Sequence, residues 1–249
     1  KLLGGSNSRE VYTDMTISIG TPEKMAKDAK EFKKSGFPAI KVKLGTTQKE
    51  DVNRIKAIRE AVGSDYPIRI DANQGWDTLT AIATLNALDK YHIEHCEEPI
   101  AHWNNRDQVK VRENSPIPIM ADESLFDHHD AFRLAQMGAC DYFNIKFSKS
   151  GGINNALKII AIAQASGIKS QVGCMSESRY GLTALMHLVA ARENIVYFDM
   201  DSSLMLAEDP VKDGIEYMGS GKWILGEGVG IGASFDEAYL HSMEREVVQ

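Results

Sequence analysis

The chain lacks most of the features that announce a compartment or a macromolecular partner. It has only three cysteines, Cys96, Cys140 and Cys174, which stand far apart and form no CxxC pair. They read as reduced, largely buried thiols of a cytoplasmic protein rather than a disulfide framework. No apolar run approaches the length of a membrane span and no signal peptide is visible, so no membrane partner is expected. No basic stripe appears: 28 Lys and Arg face 35 Asp and Glu, for a net charge of −7, which argues against nucleic acid. Nucleotide loops are missing as well. GEGVGIG (226–232) does not open a helix with Gly-x-Gly-x-x-Gly spacing, and GSGKW (219–223) lacks the spacing of a P-loop; both read as turns. With no linker and no low-complexity tract, residues 1–249 are expected to form one domain. The 43% apolar and 25% charged composition is ordinary for a soluble protein with a large core.

What is present is periodic. Lys43, Asp71, Glu97, Asp122, Lys146 and Asp199 each close a short apolar run. The gaps are 28, 26, 25 and 24 residues as far as Lys146, and the last is 53, two periods with one strand between. A period of roughly 25 residues suits a strand, a helix and two loops. Amphipathic segments fall between the charges, at 22–35, 48–62, 77–90, 126–138, 152–167 and 178–192. Thr21-Pro22 marks the start of the first, and Gly63, Gly138 and Gly167 mark the ends of others. The apolar runs predict eight strands, at about 14–19, 39–44, 67–71, 92–97, 117–121, 141–146, 169–174 and 195–199.

Eight such units are the size of an α/β TIM-like barrel, here spanning about 14–200 with 201–249 as a C-terminal segment. A doubly wound sheet would gather its ligand residues at one switch point, not on six strands. In a ring of eight, Lys43 on strand 2 and Lys146 on strand 6 lie opposite each other. Asp71, Glu97 and Asp122 fill the arc between them, and Asp199 ends strand 8. Alternation puts Lys41 on the face of Lys43, and Asp201 on that of Asp199. It turns Glu98 and Glu123 away from Glu97 and Asp122, and puts Asn73 on the face of Asp71, where it supports that residue or simply makes a turn.

Three carboxylates in one cavity raise each other's pKa values unless a cation joins them. All-oxygen ligands with open positions suit Mg²⁺ better than Zn²⁺. Two amines on opposite faces of one carbon are what a 1,1-proton transfer requires, with the metal stabilising the enediolate. Burial, the metal and mutual repulsion are expected to depress the lysine pKa values. Lys149 and Ser150 fall in the loop after strand 6, with Lys149 read as exposed. His95 and Lys169 read as ordinary polar neighbours, and His128-His129 as helical residues that cannot share a metal. A Schiff-base aldolase using Lys146 is a rival from another class.

The strings KVKLG (41–45), IDAN (70–73), EEP (97–99), ADES (121–124) and NIKFSKSGG (144–152) resemble the muconate-lactonizing subgroup of the enolase superfamily. The resemblance implies a (β/α)7β barrel, Mg²⁺ on Asp71, Glu97 and Asp122, and Lys43 with Lys146 as the acid/base pair assisted by Lys41. DMD (199–201) is similar to the Asp-x-Asp signature of dipeptide epimerases, whose familiar L-Ala-D/L-Glu members serve cell-wall peptide metabolism. It implies that Asp199 and Asp201 hold a substrate ammonium group. GCMSES (173–178) fits the same pattern and brings Cys174 and Ser176 to the substrate. The same family includes o-succinylbenzoate synthase and muconate cycloisomerase, whose substrates carry no ammonium group. Its members also carry an N-terminal capping domain, which is expected to be missing from this chain and to contact 201–249. A barrel that binds metal without turnover is therefore a further reading, and a homo-oligomer is compatible with all of them.

Overall fold

A computed structural model describes residues 2–5, 10–244 and 246. Its centre is an eight-stranded parallel sheet whose strands neighbour one another in chain order. The strands are β1 (Met15–Ile17), β2 (Ile40–Lys43), β3 (Ile68–Asp71), β4 (Ile93–Glu97), β5 (Ile119–Ala121), β6 (Tyr142–Ile145), β7 (Lys169–Val172) and β8 (Ile195–Phe198). All eight predicted strands are there, each one or two residues shorter at one or both ends. Seven helices alternate with them: α1 (Pro22–Lys34), α2 (Gln48–Val62), α3 (Thr78–Leu88), α4 (Asn105–Glu113), α5 (His128–Met137), α6 (Ile153–Ala165) and α7 (Arg179–Ala191). Together they form the barrel that the spacing predicts.

Local chemistry fixes most of these boundaries. Thr21 accepts a hydrogen bond from Lys24 N with Pro22 at the first helical position, Thr47 caps α2 and Asp77 caps α3. Asp127 and Asp130 form a reciprocal capping box on α5, which ends at Gly138 with φ 65°. The apolar side of the strands, with Val42, Ile70, Cys96, Ile145 and Val172, is buried with Ile55, Ile58, Leu85, Leu134 and Ile159 of the helices. The opposite side faces the barrel interior and is polar.

Register brings the charged ends together. Lys43 pairs with Asp71, and Asp71 with Glu97, along the β2–β3–β4 ladder. No ladder joins β8 to β1. The ring closes there through Asp14 N donating to Phe198 O (3.2 Å), Met200 N donating to Thr13 Oγ1 (2.8 Å) and Thr16 N donating to Asp201 Oδ2 (2.8 Å).

Two parts lie outside the sequence-based expectation. Helix α4 buries only Gln108 and Val111, too little to show as an apolar stripe. After β8, short antiparallel strands pair Val11–Tyr12 with Lys222–Leu225, Lys222–Leu225 with Ile215–Tyr217, and Val211–Asp213 with Ala233–Phe235. GSGKW is thus a turn running into a strand. Its Trp223 is buried and donates from Nε1 to Met200 O (3.2 Å), anchoring the segment between Asp199 and Asp201. No helix among the described residues is long and apolar enough to cross a membrane.

Candidate active site

Asp71 and Glu97 are the last residues of β3 and β4, and Asp122 follows β5 directly. All three are buried, and one oxygen from each lies within 4.8 Å of the others. Their environments differ. Burial, then the charge of Glu97, pushes Asp71 up to about 6 against the pull of Lys43 and Lys41. Burial would raise Glu97 also, but Lys41, His95 and Lys146 outweigh it and hold Glu97 well below the usual carboxylate range. Asp122 is held down by Lys149 and Lys146 despite its burial. Asn144 Nδ2 donates to Glu97 Oε2 (3.0 Å) and Gln171 Nε2 to Glu97 Oε1 (2.8 Å), fixing the central carboxylate from across the ring. Three clustered, oriented carboxylates are a hard, all-oxygen donor set, and they fit a divalent cation such as Mg²⁺.

The lysines flank this triad. Lys43 Nζ lies 2.7 Å from Asp71 Oδ2 and 2.8 Å from Asn73 Oδ1, on the β3 side. Lys146 Nζ lies 2.7 Å from Asp122 Oδ2, on the β5 side. Lys41 is buried and pairs with Asp199 across the interior. The expected depression of the lysine pKa values is not what the structure gives for Lys41 and Lys146. Burial does lower both, but the carboxylates, chiefly Asp199 for Lys41 and Asp122 for Lys146, outweigh it and raise them. Their charges are therefore part of the resting site.

On the opposite arc, Asp199, Asp201 and Cys174 form a second buried group with ligand atoms within 4.8 Å of one another. Cys174 Sγ donates to Asp201 Oδ1 (3.7 Å). Burial pushes Asp199 well up in spite of Lys41. Ser176 is exposed on the bend after β7.

The residues behind the ligands have definite partners. Asn73, at φ 42°, donates from its backbone to Asp71 Oδ1 (2.9 Å) and from Nδ2 to Glu123 Oε1 (3.1 Å). Glu98 is turned away from Glu97 as alternation predicts, yet it is buried. Its Oε2 accepts from Asp122 N (2.7 Å), Ser124 N (3.2 Å) and Ser124 Oγ (3.0 Å), so it holds the backbone that carries Asp122. Burial pushes Glu98 up to about 8.

Lys149 corrects the sequence reading. Its side chain is 5% exposed, and its Nζ contacts Asp122 Oδ1 and the Asp122 carbonyl, with Asn144 O at 3.2 Å. A short helical turn, Phe147–Ser150, brings it there. Spacing held the signal, since Lys149 stands one helical turn after Lys146. Asn144 was legible in the same way, two residues before Lys146 on the inward face, as Gln171 was on β7. His95 is likewise more than an ordinary neighbour. It is fully buried, its Nε2 is 3.9 Å from Glu97 Oε1, and burial lowers its pKa.

Known proteins resemble this chain over most of its length. A family described as Enolase C-terminal domain-like matches residues 24–239. The D-Ala-D/L-Ala epimerase of Cytophaga hutchinsonii is 47% identical over 243 residues, 98% of this chain and 66% of that protein. The L-Ala-D/L-Glu epimerase of Clostridium acetobutylicum is 42% identical over 234 residues, 93% of this chain and 65% of that one. Among solved structures, the dipeptide epimerase from Cytophaga hutchinsonii complexed with Mg and the dipeptide D-Ala-L-Val superposes with a TM-score of 0.96, at 47% identity over 98% of this chain and 66% of that one. The chain thus spans just under two thirds of the length of these relatives.

Proposed function

The chain belongs to the Enolase C-terminal domain-like family, and from that premise we propose that it is the catalytic barrel of a Mg²⁺-dependent dipeptide epimerase. The observation that carries the reading is the pairing of two sites in one mouth. A carboxylate triad is flanked by Lys43 and Lys146, and Asp199 and Asp201 face it from the other arc. The first suits a substrate carboxylate and the carbon beside it. The second suits a substrate ammonium group.

Asp71, Glu97 and Asp122 would hold the Mg²⁺, which when bound stabilises negative charge on the substrate carboxylate oxygens. Asp201, supported by Thr16 N and Cys174, and Asp199 orient the amine end of the dipeptide. The C-terminal α-carbon then lies between the two lysines. One of them takes the α-proton and the other returns a proton to the opposite face, so the carbon inverts. Lys41 keeps a positive charge beneath the site, where carboxylate charge grows. Lys146 leaves Asp122 and Lys43 leaves Asp71 as the substrate enters, which frees each amine for its proton transfer.

The relatives' names point to an N-terminal alanine, with alanine or glutamate as the inverted residue. We assign the L-Ala-D/L-Glu or a related dipeptide to this protein on that basis. The part of the relatives' length beyond this chain is the place we give to a capping domain that excludes water and reads the side chain. Reduced, unpaired Cys96, Cys140 and Cys174 fit a cytoplasmic enzyme.

Proton NMR in D₂O tests the reading. The full-length protein and the 249-residue chain are each incubated with Mg²⁺ and pooled L-Ala-L-Xaa dipeptides. Loss of the C-terminal α-proton signal is expected. No exchange with any dipeptide would remove the epimerase reading and leave elimination chemistry on the same scaffold.

A further inference from the structure

Lys149 is a buried cation of the mouth to which the proposed reaction gives no role, whereas Lys43 and Lys146 transfer protons and Lys41 holds charge beneath the site. Its ammonium has three donors, and all three are spent. One goes to Asp122 Oδ1, one to the main-chain carbonyl of Asp122 and one to the main-chain carbonyl of Asn144 at 3.2 Å. Those carbonyls belong to two different strand ends. The β5–β6 ladder stops at Ala121↔Phe143, one residue short of both. Beyond that point Lys149 ties together the strand ends that carry Asp122 and, two residues after Asn144, Lys146.

The turn that delivers Lys149 is itself fixed. Lys149 N and Ser150 N donate back to Lys146 O (3.1 and 2.9 Å), as does Ser150 Oγ (3.1 Å), and Gly151 at φ 75° ends the turn. Lys146 and Lys149 therefore straddle one carboxylate, with Lys146 on Oδ2 and Lys149 on Oδ1. The two positions are not equivalent. An amine that must reach a substrate carbon cannot also be the group that holds Asp122 still. Lys149 has no such second duty, and its contacts with the backbone give it a fixed origin.

We infer that Lys149 is a positioning residue that locks the Asp122 carboxylate and the β5–β6 mouth, so that Asp122 is ready for the divalent cation while Lys146 is free to move. This inference rests on the proposal that Asp122 is a metal ligand. Simple electrostatics predicts the opposite for metal affinity, because a nearby ammonium repels a dication. The two effects can therefore be told apart by sign.

The test is Mn²⁺ binding to the full-length protein without substrate, read from the free-ion electron paramagnetic resonance signal. Lys149→Met is expected to weaken binding about 10-fold or more, the range typical when a group that orients a metal ligand is lost. Lys149→Arg, which keeps the charge and the donors, is expected to stay within about threefold of wild type. Thermal melting of the metal-free variants checks that both fold, and Lys149→Gln replaces the methionine variant under the same criterion if that one does not. Unchanged or tighter Mn²⁺ binding in the folded Met or Gln variant would show a mere counter-charge and overturn the inference. Failure of wild type to bind Mn²⁺ at all would instead overturn the metal assignment beneath it.

Discussion

Gly173 lies where β7 passes the catalytic mouth, and a single methyl group there should disturb the site without touching it chemically. Its N–H donates to Ile145 O (3.0 Å), which fixes it against β6. A Cβ at this position would sit 2.5 Å from Asn144 Oδ1, 2.9 Å from Lys146 Cε and 3.0 Å from Asn144 Nδ2. Ordinary contact begins near 3.4 Å, so the Asn144 amide must retreat by about 1 Å and the Lys146 stem by about half that. The amide cannot retreat freely, because it also holds Glu97. Overpacking of this kind costs about 1–3 kcal/mol, which for a chain of this length lowers the melting temperature by roughly 2–12 °C. Misplacing a catalytic group by about 1 Å costs about 100-fold in rate. Gly173→Ala should therefore remain folded and exchange the substrate α-proton about 100-fold more slowly, as measured by deuterium incorporation with NMR. An alanine variant that keeps more than a third of wild-type exchange would refute the claim that this contact sets the position of Lys146.

Other outcomes follow from the same geometry. Asp201→Asn can still accept from Thr16 N but loses its charge, and should raise KM for a dipeptide about 10–100-fold through the lost charge-assisted contact. A substrate blocked at its amine should respond little to that change. Mg²⁺ at about 100 times its Kd should stabilise the fold by about 2.7 kcal/mol and raise the melting temperature by roughly 5–10 °C. Asp122→Asn should abolish most of that rise in a thermal-shift assay, and a full rise in this variant would count against Asp122 as a ligand. Glu98 gives the pH dependence: burial lifts it from 4.5 to about 8, so the folded protein keeps a proton that the unfolded chain has lost. Stability should fall as pH rises between those values, and Glu98→Gln should flatten the slope in urea titrations at pH 5–8. An unaltered slope would place the titrating group elsewhere.

The ring and its mouth were legible because charge and hydropathy share one period. Lys43, Asp71, Glu97, Asp122 and Lys146 each close an apolar run, and in-register parallel strands bring such residues to one rim. Side chains one step removed were legible only in part. Alternation turns Glu98 away from the cavity, but it cannot tell whether a side chain so turned meets solvent or, as here, the backbone of Asp122. Lys149 was misread because a loop assignment hid the helical turn that buries it. Helix α4 escaped notice because Val111 and Gln108 alone face inward. The strands after β8 are only three or four residues long, and one of their pairings, Val11 with Trp223, joins remote parts of the chain, which no local pattern records.

The closure of the ring at Asp201 also bears on how such a protein can change its substrate over time. The aspartate proposed to face the ligand is the one that receives Thr16 N where β1 meets β8. A lineage that drifts toward substrates without an amine would gain nothing from keeping that carboxylate, yet would weaken its own seam by losing it. Asparagine, which keeps the acceptor, is then the least costly first step away, and larger apolar replacements become accessible only after the seam is strengthened elsewhere. Met200 N with Thr13, and Asp14 N with Phe198, are the places where such compensation would have to accumulate first.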